Sequence, residues 1–401
     1  MTSRSTISQS VKYGLHFIGI WPGTPFPGLR KVCWVLSAVL CQIGQYKYMI
    51  THFNTDDFIE WIETLSLTMT YTLMIVKLTV AWFAQRAVKH IGKRVHFGGV
   101  KRTGMLITLS VSVLCEIIST MEVDCTKYAV VDTNNVISKT ADLSFRLTSM
   151  IPALYMVSVC CHAVGTLTNP RSNDSMDRQL LLNMDLPFDI NQSLTYELVL
   201  VVQIIYQVMS AYTFSLFSAL LLMTILHAGC VIDILCCIVK RTSAQDDGQF
   251  RFVAMRHQEI ILFTERIERL FTYIALSQLL SNTLIICCLG FLFITALQIE
   301  NGLPLILKSC IFYIVICLEI FVYCFAGEYL DIKSKMIVDA AYQMSWYDFQ
   351  PATSRQLVLL ILKSQKGLPL TFGKFSSLSL QSFANIMKAS ASYMSVLLAM
   401  S

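Results

Sequence analysis

The sequence predicts an all-α membrane protein with seven transmembrane helices, a cytoplasmic N-terminus, an extracellular C-terminus and a cytoplasmic helical anchor. Its composition is the first observation behind this prediction. Hydrophobic residues make up 55% of the 401 positions and charged residues only 14%, whereas soluble domains contain roughly 45–50% and about 25%. The second observation is a series of long apolar runs, since about 20 such residues cross a bilayer as a helix.

Seven stretches are long and apolar enough to be transmembrane helices. In chain order they are Val32–Met49, Ile62–Phe83, Leu143–Gly165, Tyr196–His227, Ile274–Leu297, Leu305–Ala326 and Ser376–Met400. A shorter segment, Val11–Trp21, comes before them and has the pattern of an amphipathic helix. Pro22 is expected to end that helix, because proline cannot continue one.

The distribution of basic residues predicts the orientation, because Lys and Arg accumulate in cytoplasmic loops. With the N-terminus inside, most of the 31 Lys and Arg residues fall in four cytoplasmic segments, which are 1–31, 84–140, 228–272 and 327–375. The outer loops hold only three of them. The basic residues of the cytoplasmic segments account for the net charge of +5, so a nucleic-acid partner is not expected.

Four regions follow from this topology. They are a cytoplasmic N-terminal segment (1–31), a bundle of six helices with their loops (32–326), a cytoplasmic anchor (327–375) and a last helix (376–401). The long outer loop, 166–195, contains two N-glycosylation sequons, at Asn173 and Asn191. Sequons in a loop assigned to the outside support the orientation.

Several other classes of protein are disfavoured. A G-protein-coupled receptor has its N-terminus outside, and the chain has neither an Asp-Arg-Tyr after its third span nor an Asn-Pro-x-x-Tyr in its seventh. A secondary transporter predicts internal repeats, and none is visible. The seven histidines have no ligand spacing. We therefore expect no enzyme activity, no metal and no cofactor.

The C-terminal helix carries polar residues along one face. Steps of three or four residues place on that face Asn385, Ala389, Ser392, Val396 and Met400. Polar residues inside a span usually mark a protein interface or a path for water, so the helix has the character of a pore-lining one. The two apolar residues at its end can hold a pore shut by excluding water.

Two charged residues fall within predicted spans, Lys77 in the second and Glu319 in the sixth. A charge inside the bilayer is costly unless it reaches water or a partner. An ion pair between these helices would relieve the cost for both residues. Snorkelling of Lys77 to the interface would relieve it for the lysine alone.

An ordered set of short motifs resembles the insect odorant receptor family, and its style is closest to the hymenopteran branch. The set comprises Gly373-Lys374-Phe375, Ser382-Phe383 and Lys388-x-Ser-x-Ser-Tyr in the tail, Leu186–Asp189 in the outer loop, and Met121–Gly165 around the third span. One segment departs from the family pattern. His96–Val113 is an apparent insertion, which is either an interfacial helix or translated intron.

The resemblance implies an odorant-gated, non-selective cation channel in the plasma membrane of olfactory neurons. This chain would be its odour-specific subunit, assembled with the odorant receptor co-receptor into a heterotetramer. A small volatile odorant, membrane lipid, and monovalent and divalent cations would be its other partners. A gustatory receptor channel is the alternative within the same superfamily, and a transporter or a G-protein-coupled receptor are more distant ones.

The resemblance also implies particular site residues. The gate lies near the outer end of the last helix, where Val396 and Met400 match it and Ser392 lines the pore. Odorant binds in an apolar cavity among the second, third, fourth and sixth spans. The residues expected there are Tyr71, Met74, Tyr155, Val159, Tyr206, Met209, Phe312 and Ile316.

The topology can be tested with epitope tags at the two termini. A tag after Ser401 should react with antibody on intact cells, whereas a tag before Met1 should react only after permeabilisation, because the basic residues place the two ends on opposite sides. The reverse pattern of labelling would rule out the channel interpretation.

Overall fold

A computed structural model describes ten ranges of the chain. They are residues 5–21, 24–53, 58–91, 113–128, 135–167, 180–187, 193–242, 247–299, 302–344 and 346–400. Both sequons, Asn173 and Asn191, lie outside the described residues. The predicted insertion His96–Val113 also lies outside them, except for Val113 itself.

The described part of the chain is helical apart from one short hairpin, which confirms the all-α prediction. The helices are α1 (Gln9–Ile18), α2 (Pro27–Thr51), α3 (Phe58–Ile91), α4 (Val113–Tyr128), α5 (Val136–Leu167), α6 (Ser193–Arg241), α7 (Asp247–Ala296), α8 (Leu303–Tyr342), α9 (Pro351–Gln365) and α10 (Leu380–Met400). A short 3-10 helix, Trp346–Asp348, joins α8 to α9. Two strands, β1 (Thr371–Phe372) and β2 (Ser376–Ser377), form the hairpin.

Within the described residues, five helices are long and apolar enough to cross a membrane, namely α3, α5, α6, α7 and α8. The predicted first and last spans also form helices, α2 and α10, but they are not among these five. Most helices extend beyond their predicted bounds, but two of them are shorter at one end by three or four residues. The last helix begins at Leu380 rather than Ser376, because Ser376–Ser377 pair with β1. The amphipathic helix α1 ends at Ile18 rather than Trp21, because Gly19 has a φ of 76° and caps the helix in the left-handed conformation.

Helices α6, α7 and α8 are too long to be contained in a bilayer. They have 49, 50 and 40 residues, which at 1.5 Å per residue is about 60 to 75 Å. That length is about twice the ~30 Å of a hydrocarbon core. The excess on α7 includes the stretch Glu259–Ser277, in which Phe263, Ile267 and Leu270 are buried beside charged residues. Helix α7 therefore runs without a break from an amphipathic stretch into an apolar one.

Helix α6 is the centre of the bundle. Every residue from Thr213 to Ile232 is buried, and α5 and α8 pack along its two sides. Helices α2 and α5 lie at the rim and turn large apolar side chains outward, including Leu40, Ile43 and Val157. Such a surface suits contact with lipid.

The N-terminal segment is fastened to the bundle by polar contacts. Thr6 Oγ1 lies 2.8 Å from His227 Nδ1 on α6 and 3.3 Å from Cys125 Sγ on α4. On the same helix α4, burial raises the pKa of the Tyr128 phenol, so that the side chain stays neutral. These contacts join the chain before α1 to α4 and α6.

The hairpin fastens the start of α10 to α7 and α8. The Gly373 amide donates to Thr272 O on α7 at 3.0 Å. The Leu380 amide donates to Glu328 Oε2 on α8 at 3.3 Å. Gly373 and Lys374 both have positive φ values in the turn, a conformation that glycine adopts without strain.

Candidate ligand-binding cavity and its charged neighbours

A cavity of about 70 Å³ lies between α3, α5, α6 and α8. Among the residues that line it are six of those expected from the sequence, namely Tyr71, Met74, Tyr155, Val159, Phe312 and Ile316. The cavity is mostly apolar, and its aromatic walls suit a small organic ligand held by dispersion.

The other two expected residues, Tyr206 and Met209, do not line this cavity. They line a groove on another side of α6, together with Trp34 of α2. Gln207 and Ser210 line the cavity instead. Each residue of a helix is turned by about 100° from the one before it, so an offset of one position selects a different face. The polar side chains of Gln207 and Ser210 in an otherwise apolar stretch were the signal that could have identified the cavity face.

A segment of the predicted outer loop, residues 180–187, covers the end of the bundle near the cavity. Gln203 of α6 holds this segment through both polar atoms of its side-chain amide. Its Nε2 donates to Leu182 O at 3.0 Å, and its Oε1 accepts from Leu182 N at 3.2 Å. Asn183 Nδ2 donates to Glu60 Oε1 at 2.9 Å and to Thr64 Oγ1 at 3.1 Å on α3. The segment is thus pinned to two of the helices that form the cavity.

An ion pair lies between the cavity and this covering segment. Lys308 Nζ of α8 is 2.5 Å from Glu63 Oε1 of α3. His162 Nε2 of α5, whose side chain also lines the cavity, is 3.7 Å from the same oxygen. Three of the four helices around the cavity are linked at this end.

A second, fully buried ion pair lies towards the other end of the cavity. Glu319 of α8 collects four partners from three helices: Lys77 Nζ at 3.1 Å, Ser218 Oγ at 3.2 Å, Gln278 Nε2 at 2.6 Å and Asn282 Nδ2 at 3.2 Å. All four donate to the carboxylate. The side chains of Lys77 and Glu319 have no exposed surface, so the ion pair is formed and the lysine does not snorkel.

The buried pair touches the wall of the cavity. Lys77 Nζ lies 3.5 Å from the centre of the Phe214 ring, and Phe214 lines the cavity together with Tyr155. A cation over an aromatic face is attracted by the ring. The position of this wall therefore depends on where the ion pair holds the lysine.

Helix α10 packs one face on its own bundle and turns another away. Cys287 Sγ of α7 donates to Ser390 O at 3.6 Å, and Gly290 of α7 leaves space that Met394 fills. Ser392 and Val396 are exposed on the other face, Val396 by 58%. Met400 ends the helix, and its side chain lies outside the described part.

No group of three or more His, Cys, Asp or Glu side chains that could hold a metal ion occurs among the described residues. Charged side chains near the cavity are instead engaged with one another, as Lys308 is with Glu63 and Lys77 with Glu319.

Long apolar helices around an apolar cavity define a helical membrane protein with room for a small ligand, and comparison with known proteins specifies the family. The family model described as 7tm Odorant receptor matches residues 114–391. The chain belongs to the 7tm odorant receptor family, as its sequence motifs predict.

Relatives and solved structures agree with this membership. Odorant receptor 13a of Drosophila melanogaster is 31% identical over 156 residues, which are 36% of this chain and 37% of that protein. The odorant receptor coreceptor of Ooceraea biroi is 24% identical over 161 residues, 40% of this chain and 33% of that protein. The matches thus span about a third of the length of these relatives. The structure of the olfactory receptor OR5 of Machilis hrabei with eugenol shares the fold, with a TM-score of 0.73, 13% identity and coverage of 98% and 97% of the two chains.

The buried ion pair can be tested by a double-mutant cycle. Lys77→Met leaves the Glu319 carboxylate buried without its cation, which should destabilise the protein by about 3–5 kcal/mol. Adding Glu319→Gln should recover part of that loss, because the second change removes the stranded charge. The measurement is the thermal melting of each purified variant in detergent.

The matched control is Lys335→Ala, which breaks an exposed ion pair with Asp331 on the same helix as Glu319. An exposed pair contributes less than about 1 kcal/mol, so this variant should melt close to wild type. Equal effects of Lys77→Met and Lys335→Ala would contradict the structural role given to the buried pair.

Proposed function

We propose that this chain is the odour-specific subunit of a ligand-gated, non-selective cation channel that opens when a small volatile ligand binds. The observation that carries the proposal is the apolar cavity enclosed by α3, α5, α6 and α8. A cavity formed within one chain allows that chain to determine which ligand the assembly recognises. Membership of the odorant receptor family and the shared fold with an insect olfactory receptor support it.

The proposed partner is the odorant receptor co-receptor, and the proposed location is the plasma membrane of olfactory neurons. Relatives include both odorant receptors and coreceptors, at 31% and 24% identity in the two cases described above. Similarity to both kinds of subunit is what a common architecture for a mixed tetramer would produce. The region 327–375, with the long extensions of α6, α7 and α8, would be the cytoplasmic anchor where the subunits meet.

One residue of the cavity, Phe312 on α8, and one residue of the groove, Met209 on α6, provide a test of the ligand site. Phe312→Ala, in the cavity, should weaken the potency of an activating odorant by tenfold or more, about 1.4 kcal/mol, because it removes apolar contact with the ligand. Met209→Ala, in the groove, should change potency less than threefold. The measurement is odour-evoked current in cells that express this chain together with the co-receptor.

The control is the current that the co-receptor carries in the same cells. This current should be the same for both variants. Equal shifts in Phe312→Ala and Met209→Ala would show that the cavity is not the ligand site. Odour-evoked current that needs no co-receptor would contradict the proposed partnership.

The exposed face of α10 supports a role in the pore. Ser392 and Val396 are exposed and turn away from the helix bundle, whereas Ser390 and Met394 pack against α7. A face that is left unpacked within one subunit is available to line an axis shared by several subunits. An apolar side chain at such an axis can close it by keeping it dry. We assign this role to Val396 and Met400, with Ser392 lining the pore below them.

The gate can be tested by making it wettable. Val396→Ser, expressed with the co-receptor, should give cation current without odorant, because a polar ring lowers the cost of filling the pore with water. The effect should be modest, since the other subunits keep their own apolar side chains. The control is Met394→Ser, which alters the packed face of the same helix and should give no resting current. A silent Val396→Ser variant with normal surface expression would remove this residue from the gate.

A further inference from the structure

Four polar side chains line the cavity without hydrogen bonds to other described residues. They are Tyr155 and His162 on α5 and Gln207 and Ser210 on α6. The unpaired atoms are the Tyr155 hydroxyl, both ring nitrogens of His162, both amide atoms of Gln207 and the Ser210 hydroxyl. Buried polar groups are almost always hydrogen-bonded, so a cavity lined by several unpaired ones is suited to a ligand that pairs with them.

Each of these side chains has a polar neighbour, but none is placed for a normal hydrogen bond. The neighbours are Glu319 for Tyr155, Glu63 for His162 at 3.7 Å, Tyr71 for Gln207 and Tyr206 for Ser210. These contacts are weaker than well-formed hydrogen bonds, so the four side chains can still pair with a ligand. The cavity is therefore polar at particular points although its walls are mainly apolar.

Gln207 limits the chemistry of the ligand further. One of the two terminal atoms of a glutamine amide only accepts hydrogen bonds and the other only donates them. Both are unpaired here, so the conclusion does not depend on which way the amide is turned. A ligand that satisfies the accepting atom must carry a donor. Ethers, ketones and esters have none, whereas an alcohol or a phenol has one.

The charges around the cavity exclude ionised ligands. The nearby carboxylates are already paired, Glu63 with Lys308 and Glu319 with Lys77. An ammonium or a carboxylate ligand would therefore enter a largely apolar space without a free counter-ion, and an unpaired buried charge is strongly disfavoured. The ligand that fits the cavity is therefore neutral and carries a hydrogen-bond donor.

We propose that the cavity takes a neutral ligand with a hydroxyl group on a short apolar body, and that Gln207 is the residue that selects the hydroxyl. The inference rests on the proposed function and goes beyond it by naming the class of odorant. The hydroxyl donates to the amide oxygen of Gln207 and accepts from the amide nitrogen or from Ser210, while Phe312 and Ile316 contact the hydrocarbon part. A cavity of about 70 Å³ is well above the roughly 10–15 Å³ that a single water molecule needs, so it admits a small organic ligand.

The test uses four five-carbon probes: pentan-1-ol, butyl methyl ether, pentanoic acid and pentylamine. Current is recorded from cells that express the chain with the co-receptor. Pentan-1-ol should be at least tenfold more potent than the ether, because a site with unpaired polar groups rejects the analogue that cannot pair with them. The acid and the amine, ionised at neutral pH, should be inactive or weaker than the ether.

The Gln207→Leu variant should reduce the preference for the alcohol over the ether to less than threefold. Gln45→Leu is the matched control, since Gln45 is a buried glutamine of α2 with an unpaired amide that does not line the cavity, and this variant should keep the preference. A preference that survives Gln207→Leu would mean that water satisfies the amide and would overturn the proposal. A wild type that prefers the ether would overturn it as well.

A second measurement separates this proposal from the proposed function. The purified chain is melted in detergent with each probe, and pentan-1-ol should raise the melting temperature more than the ether does in wild type and not in Gln207→Leu. Stabilisation by the alcohol without current would contradict the channel function and support the ligand class. If no probe stabilises the chain and none evokes current, the ligand class is wrong.

Discussion

The carboxylate of Glu319 is the group on which the arrangement of the bundle depends. Buried without compensation, it would oppose folding by several kcal/mol. Its four donors come from α3, α6 and α7, so all of them are satisfied only when these helices meet α8 at one depth and one rotation. Apolar packing tolerates small slides between helices, because many arrangements bury similar area. A carboxylate with four donors does not tolerate such slides, because they would break its hydrogen bonds. It therefore fixes the register of the helices around the cavity.

The same cluster connects regions with different proposed roles. Lys77 touches Phe214 in the cavity wall. Gln278 and Asn282 bind Glu319 from α7, and further along the same helix Cys287 and Gly290 contact α10. A rearrangement of the cavity wall that moves Lys77 would change the balance of donors at Glu319, and α7 connects that carboxylate to α10, the helix proposed to line the pore. Coupling through such a two-sided element needs no long chain of contacts.

Much of the fold could be predicted from the sequence, because long apolar runs and amphipathic periods reflect burial directly. The helices follow from length and period. The cost of a charge in a bilayer leaves two possibilities for Lys77, and the structure shows the ion pair with Glu319. The face of α6 could not be assigned in the same way, because this helix is apolar on all sides and periodicity then carries no direction. Residue type favours Tyr206 and Met209, whereas the packing of α5 and α8 places the polar Gln207 and Ser210 at the cavity. The hairpin before α10 was also missed, since two-residue strands have no period.

That hairpin determines how α10 can move. Backbone hydrogen bonds from Gly373 and Leu380 attach the start of the helix to α7 and α8, whereas Ser392 and Val396, further along, are exposed. A tilt of α10 would turn about its attached start at Leu380 and would have to shift the contacts that Ser390 and Met394 make with α7. Sixteen residues separate Leu380 from Val396, about 24 Å along the axis, so a tilt of about 10° displaces the far end by about 4 Å while the near end barely moves. A small rotation at Leu380 would therefore move Val396 by more than the width of a water molecule.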